Sequence, residues 1–143
     1  MLVSGILRDK GDMVFTASPA DTVIQVASML HLRRVGAMVV VEGDKAVAGI
    51  VSERDIVRLV AEHGAAALDR PIADCMTREV IFAEPNETVD SLLERMTDRR
   101  IRHLPVCVDE HLVGIISIGD LVKSKIAETV AEAEDLRAYI SAA

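Results

Sequence analysis

Gly49-Ile-Val-Ser52-Glu-Arg-Asp55-Ile-Val57 returns 65 residues later as Gly114-Ile-Ile-Ser117-Ile-Gly-Asp120-Leu-Val122. Working outward, a second pair stands upstream: Val14-Phe-Thr-Ala-Ser-Pro19-Ala-Asp-Thr22-Val23 matches Val80-Ile-Phe-Ala-Glu-Pro85-Asn-Glu-Thr88-Val89, here 66 residues apart. Nearly constant spacing over two separate stretches marks a tandem repeat, which changes what every later residue means. The one residue lost falls between Glu42-Gly-Asp-Lys45 and Asp109-Glu-His111, turn-like stretches where a deletion costs little.

Each copy reads as strand, helix, strand, strand, helix. A short strand, Val14 to Ala17 or Val80 to Ala83, runs into a proline and then a threonine able to cap a helix. Thr22 is followed three residues on by Gln25, a capping box, with Val23, Ala27 and Leu30 at helical spacing; Thr88 leads Val89, Leu92, Leu93 and Met96 without the box. Two β-rich runs follow in each copy, Val35 to Val41 with Ala46 to Val51, and Ile101 to Val108 with Leu112 to Ile116, each pair reading as a hairpin. One βαββα unit is too small to cover its own sheet, so the two should pack together about a pseudo-twofold axis in an α/β (α+β) fold. The expected division is a first repeat with the N-terminal segment over 1–64, a structured linker over 65–76, a second repeat over 77–127 and a helical extension over 128–143. Along the helix that runs into this extension Val122, Ile126, Val130, Ala133, Leu136 and Ile140 keep helical steps, a surplus apolar stripe suited to the neighbouring repeat or to another subunit.

Bulk composition excludes several functions. Although half of the 143 residues are apolar, the longest unbroken apolar run, Ala37 to Val41, is far too short to cross a bilayer. The N-terminus lacks the charged and apolar regions of a secretory signal, so a cytoplasmic protein without a membrane partner is expected. Net charge is −7, which disfavours nucleic acid, and with no Trp, one Tyr and two Phe there is no aromatic platform for single strands. Cys75 and Cys107 lie too far apart for a zinc or redox motif and read as spectator thiols. No nucleophile with an adjacent base, metal-ligand cluster or phosphate loop is present, so no catalysis is expected.

The repeated Ser-x-x-Asp admits two readings. It is a helix-capping pattern, with the serine as N-cap and an acid favoured in the first turn. Capping alone leaves unexplained the glycine three residues earlier in both copies, on a strand where glycine often marks close approach by something else. A ligand reading uses every part: glycine gives room, Ser52 or Ser117 with helix-start amides donates to a phosphate, and Asp55 or Asp120 accepts from the paired hydroxyls of a ribose. A purine would lie between aliphatic side chains, and an adenosine-type nucleotide fits.

With the Thr-Val openings at 22 and 88 and the Arg-His-Leu-Pro-Val run at 102–106, the doubled Gly-x-x-Ser-x-x-Asp resembles the tandem CBS domain pair, or Bateman module, over almost the whole chain. The resemblance implies a non-catalytic regulator that binds an adenosyl ligand (AMP, ADP, ATP, NAD or S-adenosylmethionine) in clefts between the repeats. It also implies a homodimer, a flat disc of four repeats, acting on an effector protein the sequence does not name. Carried over by position, Asp55 and Asp120 take the ribose and Ser52 and Ser117 the phosphate side. Thr16, Ala17, Ile81 and Phe82 contact the base, joined by Val51 and Ile116, while Arg54, Arg102, His103 and Pro105 complete the ligand set. Arg102 and His103 correspond to Gly36 and Ala37 in the first copy, and Arg54 to Gly119 in the second, so unequal clefts are expected.

Overall fold

The structure, a computed structural model, describes residues 1–11, 14–43 and 46–142. A short helix α1 (Val3–Lys10) precedes the first repeat: β1 (Thr16–Ala17), α2 (Val23–Arg33), β2 (Ala37–Glu42), β3 (Ala46–Ser52) and α3 (Glu53–His63). Two 3-10 turns, Gly64–Asp69 and Ile72–Asp74, lead to the second repeat: α4 (Val89–Arg99), β4 (His103–Val108), β5 (His111–Ser117) and α5 (Ile118–Ala142).

Local chemistry accounts for most boundaries. Thr22 caps α2 with the full box, Gln25 N–H donating to its hydroxyl and its own N–H donating to the Gln25 side chain at 2.8 Å; Thr88 caps α4 by its hydroxyl alone. Both hairpins carry a bulge at matching places, between Val40 and Val41 and between Val106 and Cys107. The second closes on Asp109 and Glu110, both with positive φ, as a two-residue turn that follows strand twist requires. In the first, Gly43 has φ 65°, while Asp44 and Lys45 of the expected turn lie outside the described residues.

The opening strands differ. β1 runs parallel to β2, Thr16 opposite Val39 and Ala17 opposite Val40. The expected strand over Val80 to Ala83 shrinks to a single bridge between Ala83 and Val106. The residue matching Val39 is Pro105, which has no N–H to extend the ladder.

The core is two clusters with exchanged lids. Ala67, Ile72 and Met76, from the segment leading into the second repeat, pack in the first core with Val23, Met38 and Val51. Val3 and Ile6 of α1 pack in the second core with Leu92, Leu104 and Ile116. Backbone bonds fix both lids: Val23 N–H donates to Arg70 O (2.9 Å), and Val89 N–H donates to Met1 O (3.0 Å). The N-terminal segment, grouped by chain order with the first repeat, therefore packs on the second, because each βαββα unit lacks the apolar cover that the other repeat's leader supplies.

The paired glycines serve the same lids. A Cβ at Gly49 would lie 2.7 Å from Thr77 O, and one at Gly114 would lie 2.5 Å from Leu7 Cδ2 of α1. The expectation that these glycines open space for a ligand is corrected: the space holds the protein's own chain. Along α5 only Leu121 and Ser124 are buried; Val122, Ile126, Val130, Ala133, Leu136 and Ile140 are all exposed, so the stripe does not pack on the neighbouring repeat.

A cleft between the repeats as candidate ligand site

β3 and β5 are where the two sheets meet, and a cavity of about 330 Å³ opens beside that contact. It is lined from the first repeat by Gly36, Ala37, Ile50, Ser52, Glu53, Arg54, Asp55 and Arg58, and from the second repeat and its leader by Thr77, Glu79, Val80, Ile81, Arg100, Ile101, Arg102, His103 and Pro105. Its volume is at the low end of the range for small-molecule sites.

Both readings of Ser-x-x-Asp meet at this wall. Ser52 caps α3: its hydroxyl accepts from Asp55 N–H at 3.2 Å, and its N–H donates to Asp55 Oδ2 at 2.9 Å. This box ties the carboxylate to one rotamer, and a carboxylate has acceptor positions to spare on Oδ1. Among the described residues the nearest cation to Oδ1 is Arg58 Nη1, on a largely exposed side chain 3.9 Å away. The Ser52 hydroxyl accepts in the cap and keeps its own hydrogen to donate. Of the helix-start amides, Glu53 N–H is already used by Gly36 O at 2.9 Å.

Charge gathers here against the trend of an acidic chain. Four arginines, Arg54, Arg58, Arg100 and Arg102, share the lining with the acids Glu53, Asp55 and Glu79. Arg100 enters from the C-cap of α4, held with φ 54° in the left-handed region, which a side chain rarely adopts. His103 stands half-buried: burial pushes its pKa below the usual value, Asp120 and Glu53 pull it up, and Lys10 and Arg102 push it down.

Of the residues expected to hold ligand, Ser52, Arg54, Asp55, Ile81, Arg102, His103 and Pro105 line this one cavity. Arg54 of the first copy and Arg102 of the second thus face the same space. Ala17, Val51 and Ile116 are instead buried in the two cores, with no more than 3% exposed. Strand side chains alternate, so beside Ser52 it is Ile50, two residues back, that faces the cleft, while Val51 points inward. Thr16 is half-buried and Phe82 exposed, both outside the lining, and Ser117 and Asp120 form the matching box at the head of α5. Sequence reasoning missed Ile50, which period two indicates, and Arg58, one helical turn beyond Asp55. Val80 opens the matched stretch and the expected strand but was not singled out, and Thr77, Glu79 and Arg100 carry no signal of their own beyond lying beside the second repeat's matched stretches.

A pair of βαββα repeats with a cleft between them defines a class of small regulatory module. The CBS domain family matches residues 11–62 and 72–126, and the chain belongs to that family as a two-copy member. It is 42% identical to the CBS-domain containing protein ATU1752 from Agrobacterium tumefaciens, whose crystal structure it matches with a TM-score of 0.85 over 87% of this chain and 99% of that one. It is 34% identical to the mitochondrial CBS domain-containing protein CBSX3 of Arabidopsis thaliana, over 96% of this chain and 71% of that protein. The CBS domain pair of protein MJ0100, solved in complex with 5-methylthioadenosine and S-adenosyl-L-methionine, matches with a TM-score of 0.80 at 26% identity, over 90% of this chain and 98% of that one. No helix among the described residues is long and apolar enough to cross a membrane.

Proposed function

We propose that this chain is a non-catalytic sensor that binds a phosphorylated adenosyl ligand in the cleft headed by Asp55. The observation that carries the reading is convergence: Ser52, Arg54 and Asp55 from one repeat and Ile81, Arg102 and His103 from the other line one cavity. In it Asp55 accepts from the ribose hydroxyls, Ile50, Val80 and Ile81 flank the base, and Ser52 with the guanidinium groups takes the phosphate chain. The adenosyl compounds bound by the MJ0100 pair support the ligand class, and the four arginines favour AMP, ADP or ATP over an uncharged nucleoside. The sensor works in the cytoplasm as a homodimer that passes the bound state to an effector protein, and the open apolar side chains of α5 are the surface for the second copy.

Titration calorimetry with AMP, ADP, ATP, NAD and S-adenosylmethionine tests this. Binding of at least one, lost about 100-fold or more in Asp55→Asn, is expected, since removing a charged acceptor of two hydrogen bonds costs about 3 kcal/mol. The exposed α5 stripe favours a second reading, an assembly module with vestigial clefts. A protein that dimerises yet binds none of the five compounds supports that reading and ends the sensor proposal.

A further inference from the structure

Asp120, the counterpart of Asp55, already has a partner. Lys10, the last residue of α1, places Nζ 2.8 Å from Asp120 Oδ2 and 2.9 Å from Ile115 O. The same Oδ2 accepts from Ser117 N–H at 2.9 Å. Burial pushes the Asp120 pKa up, but the hydrogen bond and charge of Lys10, with the bonds from Ser117, outweigh it, and the carboxyl stays ionised below the usual value.

The Lys10 side chain is 37% exposed, but the helix that carries it is fixed. That helix is anchored by Val3 and Ile6, which are 0% and 6% exposed in the second core, and by Leu7 against Gly114. Ile115 corresponds to Ile50, whose carbonyl accepts from the backbone N–H of Thr77 at 2.8 Å. In the second repeat the lysine ammonium takes the place of that amide and reaches the aspartate as well. A ribose arriving at Asp120 would have to exchange a charge-assisted bond for bonds from neutral hydroxyls, which are about half as strong.

We infer that Lys10 is a built-in occupant of the second repeat's aspartate, filling the ribose position at Asp120 and restricting the chain to one nucleotide, bound at Asp55. The inference rests on the proposed nucleotide binding at Asp55 and adds which residue sets occupancy.

Calorimetry with ATP on the full chain reads the stoichiometry. Wild type and Lys10→Arg bind one ATP per chain, Lys10→Met binds two, Asp55→Asn binds none, and Lys10→Met/Asp55→Asn binds one. Circular dichroism of Lys10→Met should match wild type, because α1 is held by its apolar side chains. Two ATP per wild-type chain, one per Lys10→Met chain, or loss of all binding in Lys10→Met each overturns the inference; the second of these leaves the Asp55 reading standing. If neither wild type nor Lys10→Met binds ATP, both fall.

Discussion

Asp55 and Asp120 hold the same place in two copies of one unit, each locked in a capping box with its serine, yet they face different company. Asp55 lines a cavity with the nearest cation among the described residues 3.9 Å away on its own helix, whereas Asp120 is held at 2.8 Å by a lysine from the far end of the chain. The difference comes from the leaders, which dock on the facing repeat by matching backbone bonds, Val3 N–H to Glu87 O and Ile72 N–H to Asp21 O, and diverge beyond that first turn. Past that turn a segment bridged through Thr77 runs beside β3 and the helix α1 runs beside β5, so the duplicated backbone supplies two similar aspartates and the diverging segments decide what each can meet. Destabilising one leader without the other is the most direct way to break this comparison.

The largest effect is expected at Gly49. Alanine there sets Cβ 2.7 Å from Thr77 O, a backbone atom bonded to Ile50 N–H at 3.0 Å, with Met76 Sδ 2.9 Å away. Backbone held in a ladder cannot step aside, so Gly49→Ala should cost about 2–3 kcal/mol, the upper range for overpacking. At Gly114 the obstacle is the Leu7 side chain, which can change rotamer, and Gly114→Ala should cost about 1 kcal/mol or less. Urea unfolding of the two variants measures this, and equal losses would show that the two leaders are equally rigid.

Arg102 sharpens the comparison at the cleft itself. The side chain belongs to the second repeat but lines the cavity of the first repeat's aspartate. Arg102→Ala should weaken ATP about tenfold, one charge-assisted contact, and adenosine less than twofold. Equal losses for the two ligands would remove the phosphate role.

The repeat, the capping threonines, the hairpins and the Ser52–Asp55 box were legible because each rests on local chemistry or fixed spacing, whereas Ile81 and Pro105 came only from the family resemblance. Residues beyond that set depend on what touches them from elsewhere. Gly49 and Gly114 read as room for a ligand because nothing near them in sequence shows that Thr77 and Leu7 fill the space. Val51 and Ile116 were carried over by motif position, but strand alternation turns both inward and leaves Ile50 at the cleft. Lys10 gave no signal at all, since its partners Ile115 and Asp120 lie 105 and 110 residues away.

The smallest effect is expected from pH, and it falls on His103, which lines the cavity and also feels Asp120 and Lys10. Its pKa is pushed below the ordinary 6.5 by burial first; Asp120 of α5 and Glu53 of α3 oppose this, while Lys10 of α1 and Arg102 beside it reinforce it. The folded protein therefore prefers the neutral ring, and the unfolded chain takes up its proton first. Stability from this group is fully present above about pH 6.5 and declines as pH falls toward the lower folded value, a slope that His103→Gln should remove from urea midpoints measured between pH 7.5 and 5. A phosphate bound in the cavity adds an anion beside the ring and draws its pKa back up, so ATP binding should take up a proton and tighten as pH drops from 7.5 to 6. Adenosine brings no such charge, and its affinity should stay flat over that interval. Calorimetry of ATP in buffers of different ionisation enthalpy counts the protons, and no uptake in wild type, or uptake unchanged in His103→Gln, would place the phosphates away from the second hairpin.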